Sequence, residues 1–402
     1  MRVPLHSAGD WLEDGISLET RGIVPPVMLD DITKAVLAHD DVVRYLRGGH
    51  GASDRAARER VHGYIEELRT TQRYPFYRAL KHPLYPILRK IERIPEHVEI
   101  AQAATAEGRV IYASNHKSHT DYLIEPVILD DHGIRPPIIA AGINLFGGAL
   151  GLLHRYVTGA IPIRRNTKDP AYLVTLKAYV AELLKRHDLL VYLEGGRSYN
   201  GAMKPPKTGL LQAALQTGRD DLTILPMAIA YDLVLEDQVL SHQGVKRRQR
   251  PFAVELAEMV RHGMGYQSRV FLTFGTPLPL RGYDSESRRV VVDLARHIRD
   301  VIGKLHKVLP TALIAAAMRP SIQLSDLADR IDGMLDVLRA NEANLAVSSG
   351  QQALDEALKA MSERGIIVID GTRCRVRDRM VLRYYARTIQ HLLSPGGDQV
   401  TH

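Results

Sequence analysis

The chain has 402 residues, of which 45% are hydrophobic and 25% are charged. This is the composition of a globular protein with a buried core, and it excludes a mainly disordered, collagen-like or coiled-coil chain. The single cysteine, Cys374, excludes an internal disulfide framework and a cysteine-rich zinc module. The net charge of +7 favours anionic partners, namely phosphates, acidic lipid headgroups or nucleic acid, without selecting among them.

The first 95 residues are predicted as an N-terminal helical and membrane-facing segment (1–95). The first twenty residues carry four acidic side chains and no apolar run, so we do not expect a signal peptide. We expect a reducing cytoplasmic setting. Residues 30–72 have apolar side chains at helical spacing, with a glycine-rich break at 48–51. Residues 73–90 mix aromatic rings with Lys and Arg, which is typical of lipid headgroup contact. A proline-broken connector packed on the main domain is the alternative interpretation.

The longest uncharged stretch, Pro136–Leu153, has only just the length of a membrane span. Two prolines begin it, Asn144 interrupts it and four glycines loosen it. We therefore predict a strand, Ile138–Ala141, followed by a glycine-rich turn and a short apolar helix, rather than a spanning helix.

Residues 96–310 are predicted as an α/β domain, because short apolar runs alternate with helical stretches from about residue 108. The expected strands are Val110–Ala113, Ile138–Ala141, Ala160–Ile163, Leu189–Leu193, Thr223–Ala230 and Val270–Phe274. The expected helices are His119–Leu129, Ala171–Arg186, Thr208–Gln216 and Glu286–Val308. The second helix carries an apolar stripe formed by Leu173, Leu176, Val180, Leu183 and Leu184. We expect a mixed, largely parallel sheet flanked by helices.

Residues 311–402 are predicted as a C-terminal helical subdomain with a β-hairpin, in a winged-helix-like layout. Helices are expected at Asp326–Leu338, Gln352–Arg364 and Met380–Leu393, and a hairpin at Ile366–Val376 with its turn at Asp370-Gly371. Four alternating arginines would share one strand face: Arg373, Arg375, Arg377 and Arg379. Such a face binds nucleic acid, or it contacts solvent, lipid or the main domain. Nucleic acid is disfavoured because no set of base-stacking aromatic residues accompanies it.

The segment after the first expected strand, Ser114-Asn-His-Lys-Ser-His-Thr-Asp121, is the first candidate for chemistry. It lies on the loop that leaves the sheet, where α/β proteins place reactive groups. Asp121 follows His116 by five residues and can reach its ring from the first turn of a helix. A carboxylate that holds one imidazole nitrogen leaves the other able to take a proton from an alcohol. A capping or packing role is the alternative.

Three other strand ends carry groups suited to an anion. One is Leu193-Glu194-Gly195-Gly196-Arg197-Ser198, in which two glycines let backbone amides converge and the arginine adds a fork of donors; Lys204 and Lys207 follow. The second is a strand that ends in Arg164-Arg165, and the third contains Pro226, which indicates a bulge or an edge. If these strands are parallel neighbours, their ends form a pocket with a proton acceptor beside a phosphate site.

In order and spacing, these segments resemble the four motif blocks of the glycerolipid acyltransferases. Asn115-His116-Lys-Ser-His-Thr-Asp121-Tyr122 is similar to the first block, His-x4-Asp, and Ile161-Pro-Ile-Arg164-Arg165 to the second. Leu193-Glu194-Gly195-Gly196-Arg197-Ser198 with Pro206-Lys207-Thr208-Gly209 resembles the third, and Ile224-Leu225-Pro226-Met227 the fourth. The Glu-Gly-Gly-Arg-Ser form is similar to the bacterial glycerol-3-phosphate and mitochondrial-type branch, as is the tail around Tyr384 and Tyr385.

The resemblance implies acyl transfer from acyl-CoA or acyl carrier protein to the sn-1 hydroxyl of glycerol 3-phosphate. It implies that His116 is the general base and Asp121 its orienting partner. The implied phosphate-binding groups are Arg164, Arg165, Arg197, Lys207 and the amides of Gly195 and Gly196, with Lys117, Ser118, Ser198 and Pro226 in the same pocket. Glu194 would bond the glycerol hydroxyls or fix an arginine. The region 138–153 would lie beside the acyl chain.

The resemblance also implies peripheral binding at the cytoplasmic side of the membrane, and it requires no metal or cofactor beyond the thioester co-substrate. Dihydroxyacetone phosphate or a lysophospholipid is the alternative acceptor. Ser114-x-x-Lys117 with Lys207-Thr-Gly209 also matches two motifs of penicillin-binding serine acyltransferases, but the intervening Ser-Asp-Asn is missing. A non-enzymatic lipid- or nucleic-acid-binding protein is the remaining alternative, against which the complete His116 and Asp121 pair argues.

Overall fold

The structure is a computed structural model, and it describes residues 29–48, 54–74, 77–79, 91–143, 146, 158–164, 167–243 and 268–393. Three helices precede the sheet: α1 (Leu29–Ala38), α2 (Asp40–Arg47) and α3 (Asp54–Leu68). The predicted helical character of residues 30–72 is thus confirmed for 30–47 and 54–68, with an additional break at His39, whereas Gln72 forms a β-bridge with Thr158. Most of residues 73–90 and most of 144–157 lie outside the described residues, and the predictions made for them stay predictions.

The centre of the fold is a mixed sheet to which eight strands of the described chain contribute. The strands are β1 (Ile91–Glu96), β2 (Arg109–Ser114), β3 (Ile138–Gly142), β4 (Ala160–Ile163), β5 (Leu189–Tyr192), β6 (Leu222–Tyr231), β7 (Ser268–Phe274) and β8 (Leu278–Pro279). Their spatial order is β1-β7-β6-β2-β5-β3-β4, and β8 pairs with β6. Neighbours are parallel except where β7 and β8 run antiparallel to β6. The predicted largely parallel sheet is confirmed.

Helices cover both faces of this sheet. Those between and after the strands are α4 (Val98–Glu107), α5 (Asp121–Asp131), α6 (Pro170–Leu184), α7 (Gly209–Leu215), α8 (Asp237–Gln243) and α9 (Arg288–Leu305). Successive residues of a strand point to opposite faces, so Ile224 and Ala228 of β6 pack with α1–α3, α6, α7 and α9. Leu225 and Met227 pack on the other face with α4, α5 and the C-terminal helices.

Three sequence predictions for this region need correction. Strand β1 was missed because its sequence, Ile-Glu-Arg-Ile-Pro-Glu, carries charges and a proline. An edge strand tolerates both, and β1 is at the edge because β7 is its only partner among the described strands. Leu173 does not belong to the buried stripe of α6, because it is 40% exposed. Finally, β4 is not adjacent to β2 or β5, since β3 separates it from β5.

Pro226 lies within an interior strand and forms neither a bulge nor an edge, contrary to the prediction. It pairs with Ala113 of β2 in a continuous register. Its carbonyl accepts a hydrogen bond from the amide of Gly275 (2.8 Å). Because the N–H and C=O groups of a strand residue point to the same side, the missing N–H of Pro226 also faces this side, where β6 stops pairing with β7 and starts pairing with β8. A proline is tolerated there because no ladder hydrogen bond is lost.

The C-terminal region has the predicted winged-helix-like layout. Its elements are α10 (Pro310–Ala317), β9 (Ser321–Gln323), α11 (Leu324–Ala340), α12 (Gly350–Glu363), β10 (Ile367–Asp370), β11 (Arg373–Val376), α13 (Arg379–Thr388) and α14 (Gln390–Leu393). The three strands form an antiparallel sheet in the order β10-β11-β9. Because Asp370 pairs with Arg373, the turn residues are Gly371 and Thr372, one position later than predicted. Strand β11 ends at Val376, so only Arg373 and Arg375 of the predicted arginine face lie on the strand; Arg377 follows it and Arg379 begins α13.

The C-terminal helices pack against the sheet through one shared hydrophobic cluster. Polar contacts reinforce this packing: Asp237 accepts hydrogen bonds from the hydroxyl of Tyr385 and from Arg364, both at 2.8 Å. Gly201, in the loop after β5, touches α13 so closely that a Cβ atom there would collide with the carbonyl oxygen of Tyr384. The boundary proposed at residue 311 stays a prediction.

We expect Gly201→Ala to lower the free energy of unfolding by about 2–4 kcal/mol, since the position combines a positive φ of 87° with this backbone collision. Urea denaturation measures the change. The matched control is Gly333→Ala, because a Cβ atom added to that helical glycine would meet no described atom within 4 Å outside its own helix backbone and chain neighbours, and alanine favours a helix by up to about 1 kcal/mol. Equal effects of the two substitutions would contradict the close docking of the loop on α13.

Candidate active site

The loops that leave β2 and β5 lie side by side, because these parallel strands are neighbours and Ser114 pairs with Tyr192. The side-chain amide of Asn115 continues the ladder by donating to the carbonyl of Ile229 (3.0 Å) and accepting from its N–H (2.7 Å). The carbonyl of His116 accepts from the amide of Ser198 (3.2 Å). The histidine loop is therefore held from both neighbouring strands.

His116 and Asp121 form the pair that the sequence predicts. Nδ1 of the imidazole lies 2.8 Å from Oδ2 of Asp121, at the first residue of α5. The same oxygen accepts from the amides of Lys117 (2.7 Å) and Ser118 (2.9 Å), and Oδ1 accepts from the hydroxyl of Tyr231 (2.6 Å). The carboxylate is buried, so these four donors offset the loss of its hydration.

The electrostatic surroundings of His116 favour the neutral ring. Burial lowers its pKa below the usual value, with a further lowering by Arg197, while Asp121 acts in the opposite direction. Its Nε2 has no hydrogen-bond partner among the described residues, and the ring lines a cleft. A neutral imidazole with one nitrogen fixed and the other facing a cleft can accept a proton.

Two groups next to His116 were missed by the sequence analysis. The ring of Tyr192 stacks on the imidazole, with centroids 4.1 Å apart and planes inclined by 16°. Its hydroxyl donates to Oε2 of Glu125 (2.7 Å), and Oε1 of that carboxyl accepts from the hydroxyl of Ser114 (2.6 Å). One signal was available: Glu125 follows Asp121 by four residues, so both lie on one face of α5.

The cleft beside His116 has a volume of about 610 Å³. Seven of the predicted site residues that the structure describes line it: His116, Arg164, Glu194, Gly195, Gly196, Arg197 and Lys207. Its other wall is apolar and lies between the sheet and helices α6 and α7, with Ile111, Ile139, Leu176 and Leu211 among its residues. The lining of the cleft thus combines basic and apolar side chains with the imidazole of His116.

The basic residues of the cleft differ in how they are engaged. Arg164 forms a bidentate ion pair with Glu67 of α3, and its guanidinium lies 5.0 Å from the ring centroid of Tyr64. Arg197 is buried and donates to Glu236 (3.3 Å). Lys207 is exposed and has no ion pair within the described part of the chain. Arg165 lies outside the described residues.

Four residues predicted to bind substrate lie elsewhere. Lys117 is buried with its Nζ on the carbonyl of Gly201 (2.9 Å), and burial lowers its pKa. The hydroxyl of Ser118 donates to Glu236 (2.8 Å), and the hydroxyl of Ser198 donates to the carbonyl of Ala202 (2.6 Å). Pro226 packs within the sheet. None of the four is among the described residues that line the cleft.

The carboxylate of Glu194 binds backbone amides and pairs with no arginine within the described chain, so of its two predicted roles only hydrogen bonding to the glycerol hydroxyls stays a prediction. Oε1 accepts from the amide of His116 (3.3 Å) and Oε2 from that of Lys204 (3.0 Å). The amide of Gly195 donates to the carbonyl of Tyr192 (2.9 Å), so it is engaged in a turn and does not point at an anion as predicted. Across the described residues, no group of three or more His, Cys, Asp or Glu side chains is arranged for a metal ion.

Comparison with known proteins identifies the family of the domain that carries this site. Residues 89–230 match the family model described as Acyltransferase, so the chain carries an acyltransferase-family domain that contains His116, Asp121 and the described residues that line the cleft. This identifies the class that the fold and the four motif blocks define.

Among individual relatives, the glycerol-3-phosphate acyltransferase of Aeromonas hydrophila is 31% identical over 298 residues, which cover 69% of this chain and 36% of that protein. The putative acyltransferase plsB1 of Mycobacterium tuberculosis is 26% identical over 394 residues, covering 88% of this chain and 62% of that protein. The chain therefore spans less than two thirds of either relative. The solved structure of the 1-acyl-sn-glycerophosphate acyltransferase PlsC from Thermotoga maritima superposes with a TM-score of 0.34 and 14% identity over 73% of this chain and 91% of that one.

Within the described residues, no helix has the length and hydropathy to cross a bilayer.

Glu236 joins the histidine loop to Arg197, accepting from the amide of His119 (2.6 Å) as well as from Ser118 and the guanidinium. We expect Glu236→Ala to lower the free energy of unfolding by about 3–5 kcal/mol, because it removes a buried carboxylate that pairs with the buried Arg197 and accepts from the histidine loop. The control is the exposed Glu363 of α12, whose replacement by Ala is expected to change stability by about 0.5 kcal/mol or less. Chemical denaturation compares the two, and a similarly small change for Glu236→Ala would contradict this assignment.

Proposed function

We propose that the chain is a glycerol-3-phosphate 1-O-acyltransferase, which transfers a fatty acyl group from acyl-CoA or acyl carrier protein to the sn-1 hydroxyl and yields lysophosphatidic acid. The observation that carries the proposal is that His116 lines the same cleft as the basic and the apolar residues, with its pKa lowered by burial and with no partner for Nε2 among the described residues. The name of the Aeromonas relative supports glycerol 3-phosphate as the acceptor.

In this mechanism the acceptor hydroxyl attacks the thioester carbonyl directly. Nε2 of His116 takes the hydroxyl proton as the new C–O bond forms, and Asp121 stabilises the resulting imidazolium through Nδ1. Collapse of the tetrahedral intermediate breaks the C–S bond, and the imidazolium returns its proton to the leaving thiolate. No acyl-enzyme is needed, because a thiolate is a good leaving group.

The acceptor phosphate is assigned to the basic side of the cleft, with Lys207 and Arg197 in contact and Arg165 contributing from beyond the described residues. Arg164 would share its guanidinium between Glu67 and the phosphate, so we rank it behind Lys207. The acyl chain is assigned to the apolar region between the sheet and helices α6 and α7. Residues 73–90 are proposed to bind the cytoplasmic surface of the membrane, to which the lipid product passes.

We expect His116→Ala to lower kcat/KM by about 10³-fold while leaving the folded state intact, in line with the loss of a general base. Transfer of an acyl group from palmitoyl-CoA to radiolabelled glycerol 3-phosphate measures it, with circular dichroism as the folding control. Dihydroxyacetone phosphate and a lysophospholipid are tested as acceptors in parallel. Transfer by His116→Ala at close to the wild-type rate would falsify the assignment of the base.

The pH dependence provides a separate prediction. Because the pKa of His116 is lowered, kcat/KM is expected to be constant around pH 7 and to fall only as the pH drops below about 6.5. Asp121 raises this pKa, so Asp121→Asn is expected to shift the acid limb to still lower pH and to reduce the plateau. An acid limb above pH 7 would contradict the neutral base.

We expect Lys207→Ala to raise the KM for glycerol 3-phosphate by about 10-fold or more with a smaller effect on kcat, because one charged hydrogen bond to phosphate contributes about 1.5–3 kcal/mol. The control is Lys359→Ala, because Lys359 lies on the exposed face of α12 and does not line the cleft. An unchanged KM would remove Lys207 from the phosphate site.

A further inference from the structure

Asp121 holds the imidazole of His116 through a hydrogen bond to one edge of the ring. A single hydrogen bond does not fix the plane of the ring, because the ring can still rotate about the line of that hydrogen bond. The face of the ring rests on Tyr192, the last residue of β5, at a centroid distance of 4.1 Å. Because Tyr192 pairs with Ser114 across β2 and β5, its ring lies directly beneath the loop that carries the histidine.

The hydroxyl of Tyr192 is in turn fixed by a buried carboxyl group. Glu125 accepts from it at 2.7 Å and from the hydroxyl of Ser114 at 2.6 Å, so a single side chain joins the ends of β2 and β5. Glu125 has no exposed surface and lies in the middle of α5. Since Asp121 and Glu125 are four residues apart, one face of this helix contacts both the edge of the imidazole and the ring beneath it.

We propose that Tyr192 and Glu125 are positioning residues for His116: the aromatic ring sets the plane of the imidazole so that Nε2 faces the acceptor hydroxyl, and Glu125 holds that ring in place. The proposal rests on the proposed function only for the identity of the reaction. The stacking itself is a property of the folded protein. A stacked aromatic face also attracts the imidazolium that forms during transfer, which favours the charged form of the ring.

The geometry further assigns an uncharged state to Glu125. An ionised carboxylate would place a second negative charge one helical turn from Asp121 in a buried site, with two hydroxyl donors from the described residues to stabilise it. A neutral Glu125 keeps both contacts when one hydroxyl reverses its role: the unprotonated carboxyl oxygen accepts from one hydroxyl, and the carboxyl O–H donates to the oxygen of the other. Burial and the charge of Asp121 raise the pKa of Glu125 well above its usual range, in agreement with this assignment.

The first test compares Tyr192→Phe with Tyr192→Leu. Phenylalanine keeps the ring and should retain transfer within about 5-fold, whereas leucine removes it and should lower kcat by about 10- to 100-fold with little change in the KM for glycerol 3-phosphate. The acid limb of kcat/KM should move to lower pH in Tyr192→Leu alone, because the imidazolium loses its aromatic neighbour. Equal activities of the two variants would overturn the role of the ring.

A matched control separates positioning from loss of stability. Tyr112 is a buried tyrosine of the adjacent strand β2 that does not line the cleft, and its hydroxyl has no hydrogen-bond partner in the described part of the chain. Tyr112→Leu is expected to lower the melting temperature as Tyr192→Leu does, while its acid limb stays at the wild-type pH. An equal shift of the acid limb in both variants would reduce Tyr192 to a packing residue.

The second test addresses the charge state of Glu125. The amide of glutamine mimics the neutral acid in shape and charge, so Glu125→Gln is expected to retain transfer within about 3-fold. Glu125→Ala leaves two hydroxyls without their partner and should lose about 10-fold. A loss in Glu125→Gln as large as that in Glu125→Ala would overturn the assignment of an uncharged carboxyl group.

Proton NMR of the imidazole provides a readout that does not depend on catalysis. Stacking shifts the ring protons of His116 upfield; this shift should persist in Tyr192→Phe and disappear in Tyr192→Leu, with His116→Gln identifying the resonances. If wild-type protein fails to transfer acyl groups, the proposed function fails while the NMR result still decides the stacking. Unshifted ring protons in active wild-type protein would overturn the stacking and leave the function standing.

Discussion

The site depends on one buried carboxylate. Asp121 has no exposed surface, and a charge in such a position is stable only when its oxygens are fully hydrogen-bonded. The donors come from two parts of the fold: the ring of His116 and the amides of Lys117 and Ser118 lie in one loop, and the hydroxyl of Tyr231 lies at the end of β6. The interaction that orients the imidazole is therefore also the interaction that fixes the shape of its loop.

The same principle recurs around the site. Glu194, Glu236 and Asp237 are buried carboxylates that accept hydrogen bonds from loops or helices distant in sequence. They join the loops after β2 and β5 to each other and to the C-terminal helices. Among the described residues of the cleft, this leaves the exposed Lys207 as the basic group most available to a bound anion. In this site the buried acidic residues fix the loops through hydrogen bonds, and the basic residues give the cleft its positive charge.

Local patterns predicted six of the eight described strands of the central sheet, its largely parallel order, the winged-helix-like layout and the pairing of His116 with Asp121. These features follow from short-range periodicity and from where strands end. They did not predict contacts that depend on distant residues. Arg164 pairs with Glu67, 97 positions away, and Ser118 bonds Glu236, 118 positions away. The direction of a side chain from a loop, as for Lys117, is likewise decided by the tertiary fold. Glu125 was missed because a buried acid in a helix resembles a surface one in sequence.

The central claim is that His116 is a neutral imidazole that carries its proton on Nδ1, donated to Asp121, and leaves Nε2 bare. Nitrogen-15 NMR of protein labelled at histidine, assigned by comparison with His116→Gln, measures this tautomer directly. The account predicts a protonated Nδ1 and an unprotonated Nε2 at pH 7. An imidazolium, or a ring protonated on Nε2, at that pH would contradict it.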